Sequence, residues 1–535
     1  MHLTRRLLLG SVLSAAASLG GLPLVSAPAD AEEITPGGSV VITSTQAPRH
    51  LNPAVQSGIA TAVPGTQIFA SLLKYDDNWQ PQPYLAESWE TSDDGLSVTV
   101  RLVEGATFHD GEPVTSEDVR FSIETVRDNH PFETMFAPVS AVETPDERTA
   151  VIRLSQPHPA LLLAMSSALL PIIPEHVYGD GQDIQSHPAN SAPIGSGPFR
   201  LADFEPGRQI TLERYDDFFI DGRPYLDRIV IRIVPDPSAM VLALEAGEAD
   251  ILPFLTSSQN IRRLQENEKF AVTDKGYEGI GALNWLAFNT GEPPLDDVRV
   301  RQAIAYAVDR DFIVNALHRG VSKAQRGPII ESSPFFNPGI PAYDVDLDKA
   351  RALLDEAGHP EGADGTRFSL TVDYIPGSGE QQKNIAEYLR SQLPKVGIGI
   401  EVRASPDFPT WAQRVSTYDF DLTLDSVFNW GDPVIGVHRT YLSSNIREGV
   451  IWSNTQQYAN QTVDDILARA ALEQDPEKRK ALYDEFQMIV AEELPLYPIN
   501  VIPYHTAYDT RLGNMPDSIW GVIQSMDELY WKEAP

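Results

Sequence analysis

Cysteine is absent from all 535 residues. That excludes disulfides, thiolate metal ligands, a cysteine nucleophile and a lipid anchor carried on cysteine. Basic residues are the minority: 41 Lys and Arg stand against 75 Asp and Glu, a formal charge of −34. Such a chain repels polyphosphate, which argues against nucleic acid as a partner. Beyond the N-terminus there is no apolar run of the roughly 18 residues that would read as a membrane span. The 11 histidines form neither an H-x(3–5)-H nor an H-E-x-x-H pattern, so no sequence-local zinc site is supported. The G-x-S-x-G elbow and the G-x-x-x-x-G-K-[ST] phosphate loop are missing too. There is no low-complexity segment and no short-period repeat.

What remains is an ordinary globular composition, 42% hydrophobic and 22% charged, long enough for several domains or two large lobes. The N-terminus reads MHLTRRLLLGSVLSAAASLGGLPLVSAPADAEE. Arg5 and Arg6 form a basic start, Leu7 to Val25 a mildly apolar stretch, and Ala29-Asp30-Ala31 a small-x-small cleavage site. Residues 1–31 are therefore expected to be an export signal, with the paired arginines resembling a twin-arginine signal in preference to an ordinary Sec signal. The mature protein is expected to be soluble and periplasmic.

Strand and helix patterns alternate along the chain. SVVITST (39–45), GLSVTVRLV (95–103), QITLERY (209–215) and LDRIVIRIV (226–234) read as strands. In DLDKARALLDEAGHP, Ala350, Leu353, Leu354 and Ala357 recur at helical spacing until Gly358 and Pro360 stop them. RVRQAIAYAVDRDFIVNALH (299–318) reads as one helix. TVDDILARAALEQ reads as another, with Thr462 and Asp465 suited to its N-terminal cap, and Asp475-Pro476 opens the next. The mixture means α/β or α+β.

EGATFHDGEPVTSEDVRFSIE, from Glu104 to Glu124, gathers His109, Asp110, Glu112, Glu117 and Asp118 within ten positions. It looks like an acid–base or metal site. Each acid also has a local duty: Asp110-Gly111 is a turn, Thr115 and Asp118 make a capping-box pattern, and Glu117 and Asp118 complement a helix dipole. The structural reading is the better one. Ser71-Leu72-Leu73-Lys74 matches S-x-x-K, but the S-D-N and K-T-G elements that accompany that motif are absent, and Lys74 reads as a surface residue. Asp344, Asp346 and Asp348 begin like a calcium loop, yet Lys349 stands where a glycine is required, so they are expected to lead into a helix.

The stretch LAESWETSDDGLSVTVRLVEGATFHDGEPVTSEDVRFSIE (85–124) resembles the signature block of the periplasmic solute-binding proteins that serve oligopeptide, dipeptide and nickel ABC transporters. The resemblance continues in order through PIGSGPFRLADFEPGRQITLERYDDFF, GRPYLDRIVIRIVPDPSAMVLALEAGEADIL, LAFNTGEPPLDDVRVRQAIAYAVDRDFIV and DLDKARALLDEAG, to LPLYPINVIPYHTAYDTRLGNM. It implies an α/β fold of two lobes around a ligand cleft, of the large type II-like kind. Lobe one would comprise 32–283 plus 498–535 and lobe two 284–497, with crossovers near LNWLAFNT and LYPINVIPY acting as hinges. It implies capture of a peptide or peptide-like solute for delivery to ABC permease subunits in the inner membrane, with no enzymatic activity and no cofactor. A monomer is expected. An opine, an oligosaccharide or a nickel chelate stays open as the ligand, and an exported hydrolase is the contrasting class.

The ligand site is expected in YDFDLTLDSVFNWGDPVIGVHRTYLSS (418–444), where a strand runs into Asn429, Trp430, Gly431, Asp432 and Pro433, followed by His438, Arg439 and Tyr441. In relatives that bind peptides this region carries an acid that pairs with the ligand's α-amino group, and by position Asp432 resembles it. Arg439 could hold a carboxylate bidentately and Trp430 could wall an apolar pocket. The alternative is a turn in which Asp432 bridges Arg439. No metal ligand and no catalytic residue is nominated.

Overall fold

The computed structural model describes residues 34, 36–376 and 380–533. The export segment with Arg5 and Arg6 lies outside them. Three sheets organise the chain. A seven-stranded sheet runs in the order Phe270–Thr273, His505–Asp509, Ile251–Leu255, Ser39–Ser44, Arg228–Ile233, Gln209–Arg214, Phe199–Glu205. A four-stranded antiparallel sheet joins Ala86–Thr91, Ser97–Leu102, Thr149–Leu154 and Val139–Asp146. A five-stranded sheet runs Ile398–Val402, Phe368–Tyr374, Leu422–Phe428, Ala282–Phe288, Leu496–Val501.

Sequence pattern explains these elements. In Ser39–Ser44, Val40 and Ile42 are fully buried while the strand pairs in parallel with Arg228–Ile233. Ala282–Phe288 is buried at every position, as befits a central strand covered on both faces. One core cluster joins Val40, Ile42 and Ile231 of the seven-stranded sheet to Val98, Val100 and Ile152 of the four-stranded sheet. Two others cover opposite faces of the five-stranded sheet, one through Leu286 and Leu424, the other through Leu283, Trp285 and Val427. The chain leaves the seven-stranded sheet after Thr273, enters the five-stranded one at Ala282, and returns between Val501 and His505.

Several helix boundaries differ from the sequence expectation. The helix expected over 299–318 stops at Ala307, because Val308 is extended and Asp309 restarts the chain by accepting from the Phe312 N–H at 2.8 Å. The cap of Gln461–Leu472 is Asn460, whose side-chain Oδ1 accepts from the N–H groups of Thr462 and Val463. Asp465 instead accepts from Gln461 on the exposed face. Asp346 caps Leu347–Glu356 and Asp475 caps Pro476–Glu493, as the sequence implied.

Candidate functional site

The strand Leu422–Phe428 delivers the chain to a tight turn beside the start of its neighbour. The N–H groups of Asn429 and Trp430 donate to the carbonyls of Gly281 and Ile280, at 3.1 and 3.2 Å. Trp430 and Gly431 both have positive φ, 48° and 75°. Glycine suits the second position for another reason: a Cβ there would come within 2.3 Å of Leu163. Asp432 then caps the short helix Pro433–Gly436, accepting from the Val434 N–H at 2.9 Å.

The six residues singled out in this segment have different fates. Asn429 is spent on backbone, donating to the Pro328 carbonyl at 3.1 Å and accepting from the Ile330 N–H at 3.0 Å. Asp432 is buried and gripped by Arg479, with Oδ2 to Nη1 at 2.7 Å and Oδ1 to Nη2 at 2.8 Å. Its partner is thus not Arg439, the alternative weighed from sequence. Burial opposes ionisation of Asp432, but the Arg479 charge and hydrogen bonds overcome it and hold the carboxyl below its usual range. His438 meets the Tyr483 hydroxyl at 3.1 Å, and burial depresses its pKa to about 3, so the ring is neutral. Tyr441 is core, edge-on to Phe486 and Tyr458.

Trp430 and Arg439 are the two left facing other chain segments. Trp430 joins an aromatic cluster with Phe132 at 5.2 Å, Phe428 at 5.8 Å and Trp520 at 6.4 Å between ring centroids. Phe132 and Trp520 come from distant parts of the sequence, so this wall is a tertiary product. Arg439 lies over the Phe132 ring at 5.6 Å. Among the described residues its buried Nε has no hydrogen-bond partner.

The acid-rich stretch near His109 is scaffold. The Gly195 N–H donates to His109 Nδ1 at 3.2 Å, so the ring's Nε2–H donates to the Gly197 carbonyl at 3.0 Å. The Asp118 carboxylate accepts from the Thr115 N–H at 2.8 Å and from its hydroxyl at 3.0 Å. Asp110 meets His176 at 2.8 Å, and Glu112 donates its N–H back to Asp110. Among the described residues no group of three or more His, Asp or Glu could hold a metal. Lys74 corrects the sequence reading: its side chain is only 13% exposed and pairs with buried Asp527 at 2.6 Å. Ser71 donates to the Leu73 carbonyl, so no serine–lysine pair exists.

Direct bonds connect the segments that carry different sheets. The Trp79 indole N–H donates to the Ser332 carbonyl at 3.0 Å, and the Gln381 amide to the Thr256 carbonyl at 2.9 Å. Lys323 pairs with Asp274 at 2.7 Å beside the first crossover.

Two α/β lobes traversed by paired crossovers, with an aromatic wall and an uncommitted cation where distant segments meet, define a two-lobed binding protein. Residues 80–449 match the model described as bacterial extracellular solute-binding proteins, family 5 Middle, and the chain belongs to that family. It is similar to heme-binding protein A of Haemophilus influenzae, 29% identical over 514 residues covering 91% of this chain and 90% of that protein. A putative ABC transporter peptide-binding protein of Brucella ovis is 30% identical over 84% of each chain. Among solved structures, the ABC transporter substrate-binding protein CtaP of Listeria monocytogenes superposes with a TM-score of 0.82 at 28% identity, covering 93% of this chain and 100% of that one. Members of this family are binding components of ABC importers, and among the described residues no helix is long and apolar enough to cross a membrane.

Asp425, Trp285, Phe132, Trp452 and Arg479 were not nominated from sequence. Asp425 carried one signal: it is an acid on the inward register of an apolar strand, opposite Trp285. Phe132 and Arg479 carried none, because their roles depend on segments far away in the chain.

Proposed function

We propose that this protein captures a peptide or peptide-like solute in the periplasm and hands it to the permease of an ABC importer, without chemical conversion. Lobe one comprises 32–281 with 502–535 and lobe two 282–501, instead of the boundaries expected at 283/284 and 497/498, because Ala282–Phe288 and Leu496–Val501 lie wholly in the five-stranded sheet; the hinges are the crossovers at 274–281 and 502–504, not the strands of LNWLAFNT and LYPINV. Residues 1–31 are a cleaved twin-arginine signal. The carrying observation is the junction around Trp430: an aromatic wall drawn from distant segments, with the Arg439 guanidinium beside it and its buried Nε without a hydrogen-bond partner among the described residues. Support also comes from the Brucella ovis relative, whose name records peptide binding. The motifs that could have suggested catalysis are occupied by structural bonds. Asp432 serves this site by shaping its turn.

Differential scanning fluorimetry against peptides, opines, oligosaccharides, nickel–histidine and heme tests the reading. Ligand that binds only the folded state raises the melting temperature, by an amount set by concentration over Kd. Stabilisation by a subset of peptides is expected. Stabilisation by a neutral oligosaccharide or by heme alone would overturn the solute class.

A further inference from the structure

Four side chains reach from one lobe to the other outside the crossovers, and each donates to a main-chain carbonyl. The Trp79 indole N–H donates to the Ser332 carbonyl at 3.0 Å, and the Gln474 amide to the Asp94 carbonyl at 3.2 Å. The Gln381 amide donates to the Thr256 carbonyl at 2.9 Å, and Arg262 Nη2 to the Arg319 carbonyl at 2.8 Å. Such ties suit reversible contact. When the lobes part, water can take the donor's place at each carbonyl, and no buried charge is stranded.

Trp79 differs from the other three. It stands in the hairpin turn that joins Leu73–Tyr75 to Pro81–Pro83, with φ at 62°, a left-handed backbone that bulky residues rarely adopt. Asp76 holds that turn in place. Its Oδ1 accepts from the N–H groups of Asn78 and Gln80, both at 2.9 Å, and its Oδ2 from the Gln82 amide at 3.1 Å. Its own N–H donates to the Gln80 carbonyl at 3.1 Å. Strain of this kind persists only where the surroundings over-determine it, and it gathers at clamps and switches. The receiving segment is fixed as well. The Ile330 N–H donates to Asn429 Oδ1 at 3.0 Å, and the Gln487 amide donates to the Phe335 carbonyl at 2.8 Å. Trp79 thus grips a lobe-two segment that is bonded directly to the turn carrying Trp430.

Resting on the two-lobe, solute-binding reading above, we propose that the hairpin turn from Asp76 to Gln80 is an interlobe clasp. Trp79 holds the lobes together beside the ligand site and sets how long a solute is retained, without touching the solute. It is a positioning residue. A ligand that binds only the joined lobes is bound in proportion to the fraction of molecules so arranged, so a tie between lobes adds affinity from outside the site. One hydrogen bond of this kind shifts such an equilibrium by about 2- to 10-fold. The effect belongs to the dissociation rate, because the clasp engages only after the lobes have met.

The chain has no cysteine, so Ser88→Cys in lobe one and Glu477→Cys in lobe two, both exposed, supply the only thiols for a pair of spin labels. Without peptide, Trp79→Phe, which keeps a ring and loses the N–H, should move molecules from short to long interlobe distances by about 2- to 10-fold. Calorimetry and stopped-flow use two stabilising peptides of unlike side chains from the fluorimetry panel. Kd and the dissociation rate should rise by one common factor of about 2- to 10-fold for both peptides. Asp76→Ala frees the turn and should reproduce these changes, and the double variant should lose nothing further. Thermal melts verify that each variant folds. Wild-type dissociation rates in Trp79→Phe overturn the clasp. A factor that differs between the two peptides puts Trp79 against the solute and also overturns it, as do additive losses in the double variant. No binding by any member of the panel, with the interlobe distances shifted as expected, overturns the solute reading and upholds the clasp. No binding and no shift overturn both.

Discussion

Arg479 holds both oxygens of the Asp432 carboxylate, and neither side chain is more than 6% exposed. The pair ties the turn at Trp430 to the long helix Pro476–Glu493, so the candidate site inherits its shape from a buried ion pair. Arg479 also lies over the rings of Phe335 and Tyr483, which fixes the guanidinium independently of Asp432.

Breaking that pair from one side should be costly. Asp432→Asn leaves Arg479 buried without its counter-charge and should destabilise by about 3–5 kcal/mol, read from urea unfolding. Replacing both residues with leucine should recover most of the loss, because the desolvation of two charges disappears along with their attraction. A loss below about 1 kcal/mol for Asp432→Asn would mean the turn stands without the pair. The sign with pH follows from the depressed folded value: this stabilisation is complete above the usual 3.8 and is lost as pH falls through the lower folded value.

Asp425 should behave oppositely. Burial raises its carboxyl to about 7, against weaker opposition from Ser426, Trp452 and Arg439. The folded protein therefore holds a proton there that the unfolded chain has released, and stability from this group falls as pH rises from about 4 to about 7. Asp425→Asn should raise the melting temperature at pH 8.5 and leave it nearly unchanged near pH 4. A gain of equal size at both pH values would contradict the assignment.

Buried histidines set the acid limit. Burial lowers His109, His130 and His318 to about 4, and His438 to about 3, so each resists protonation in the fold. Their stabilisation is complete above the unfolded value of 6.5 and is lost as pH falls toward those lower values. The melting temperature should drop steadily between pH 7 and 4.5. His109→Gln should flatten that slope and leave ligand affinity unchanged, since its ring bonds only the backbone of Gly195 and Gly197. Altered affinity would give His109 a role beyond scaffold.

Export should depend on Arg5 and Arg6. Changing both to lysine and fractionating cells should leave precursor in the cytoplasm, because a twin-arginine signal reads the pair itself. Undiminished export in a strain lacking that pathway would assign the segment to Sec.

Much of the fold was legible because it is written locally. Alternation in Ser39–Ser44 and Arg228–Ile233, and the Asp475-Pro476 start, depend on neighbours in sequence. The site was legible only in outline. Trp430 and Arg439 lie against Phe132, a contact no sequence pattern announces, and the partner of Asp432 lies 47 residues away and could not be read from spacing. Lys74 was misread for the same reason: its partner, Asp527, is 453 residues on. The one missed residue with a local sign was Asp425, whose inward register in an apolar strand made its burial predictable.

The central claim is capture without conversion, and the most direct measurement recovers the ligand. The wild-type protein is saturated with its best stabilising peptide in calorimetry, freed of excess, denatured, and the released solute weighed by mass spectrometry. The account predicts one molecule per chain, of unaltered mass after prolonged incubation. A hydrolysed or otherwise altered solute, or no saturable binding by any member of the panel, would contradict it.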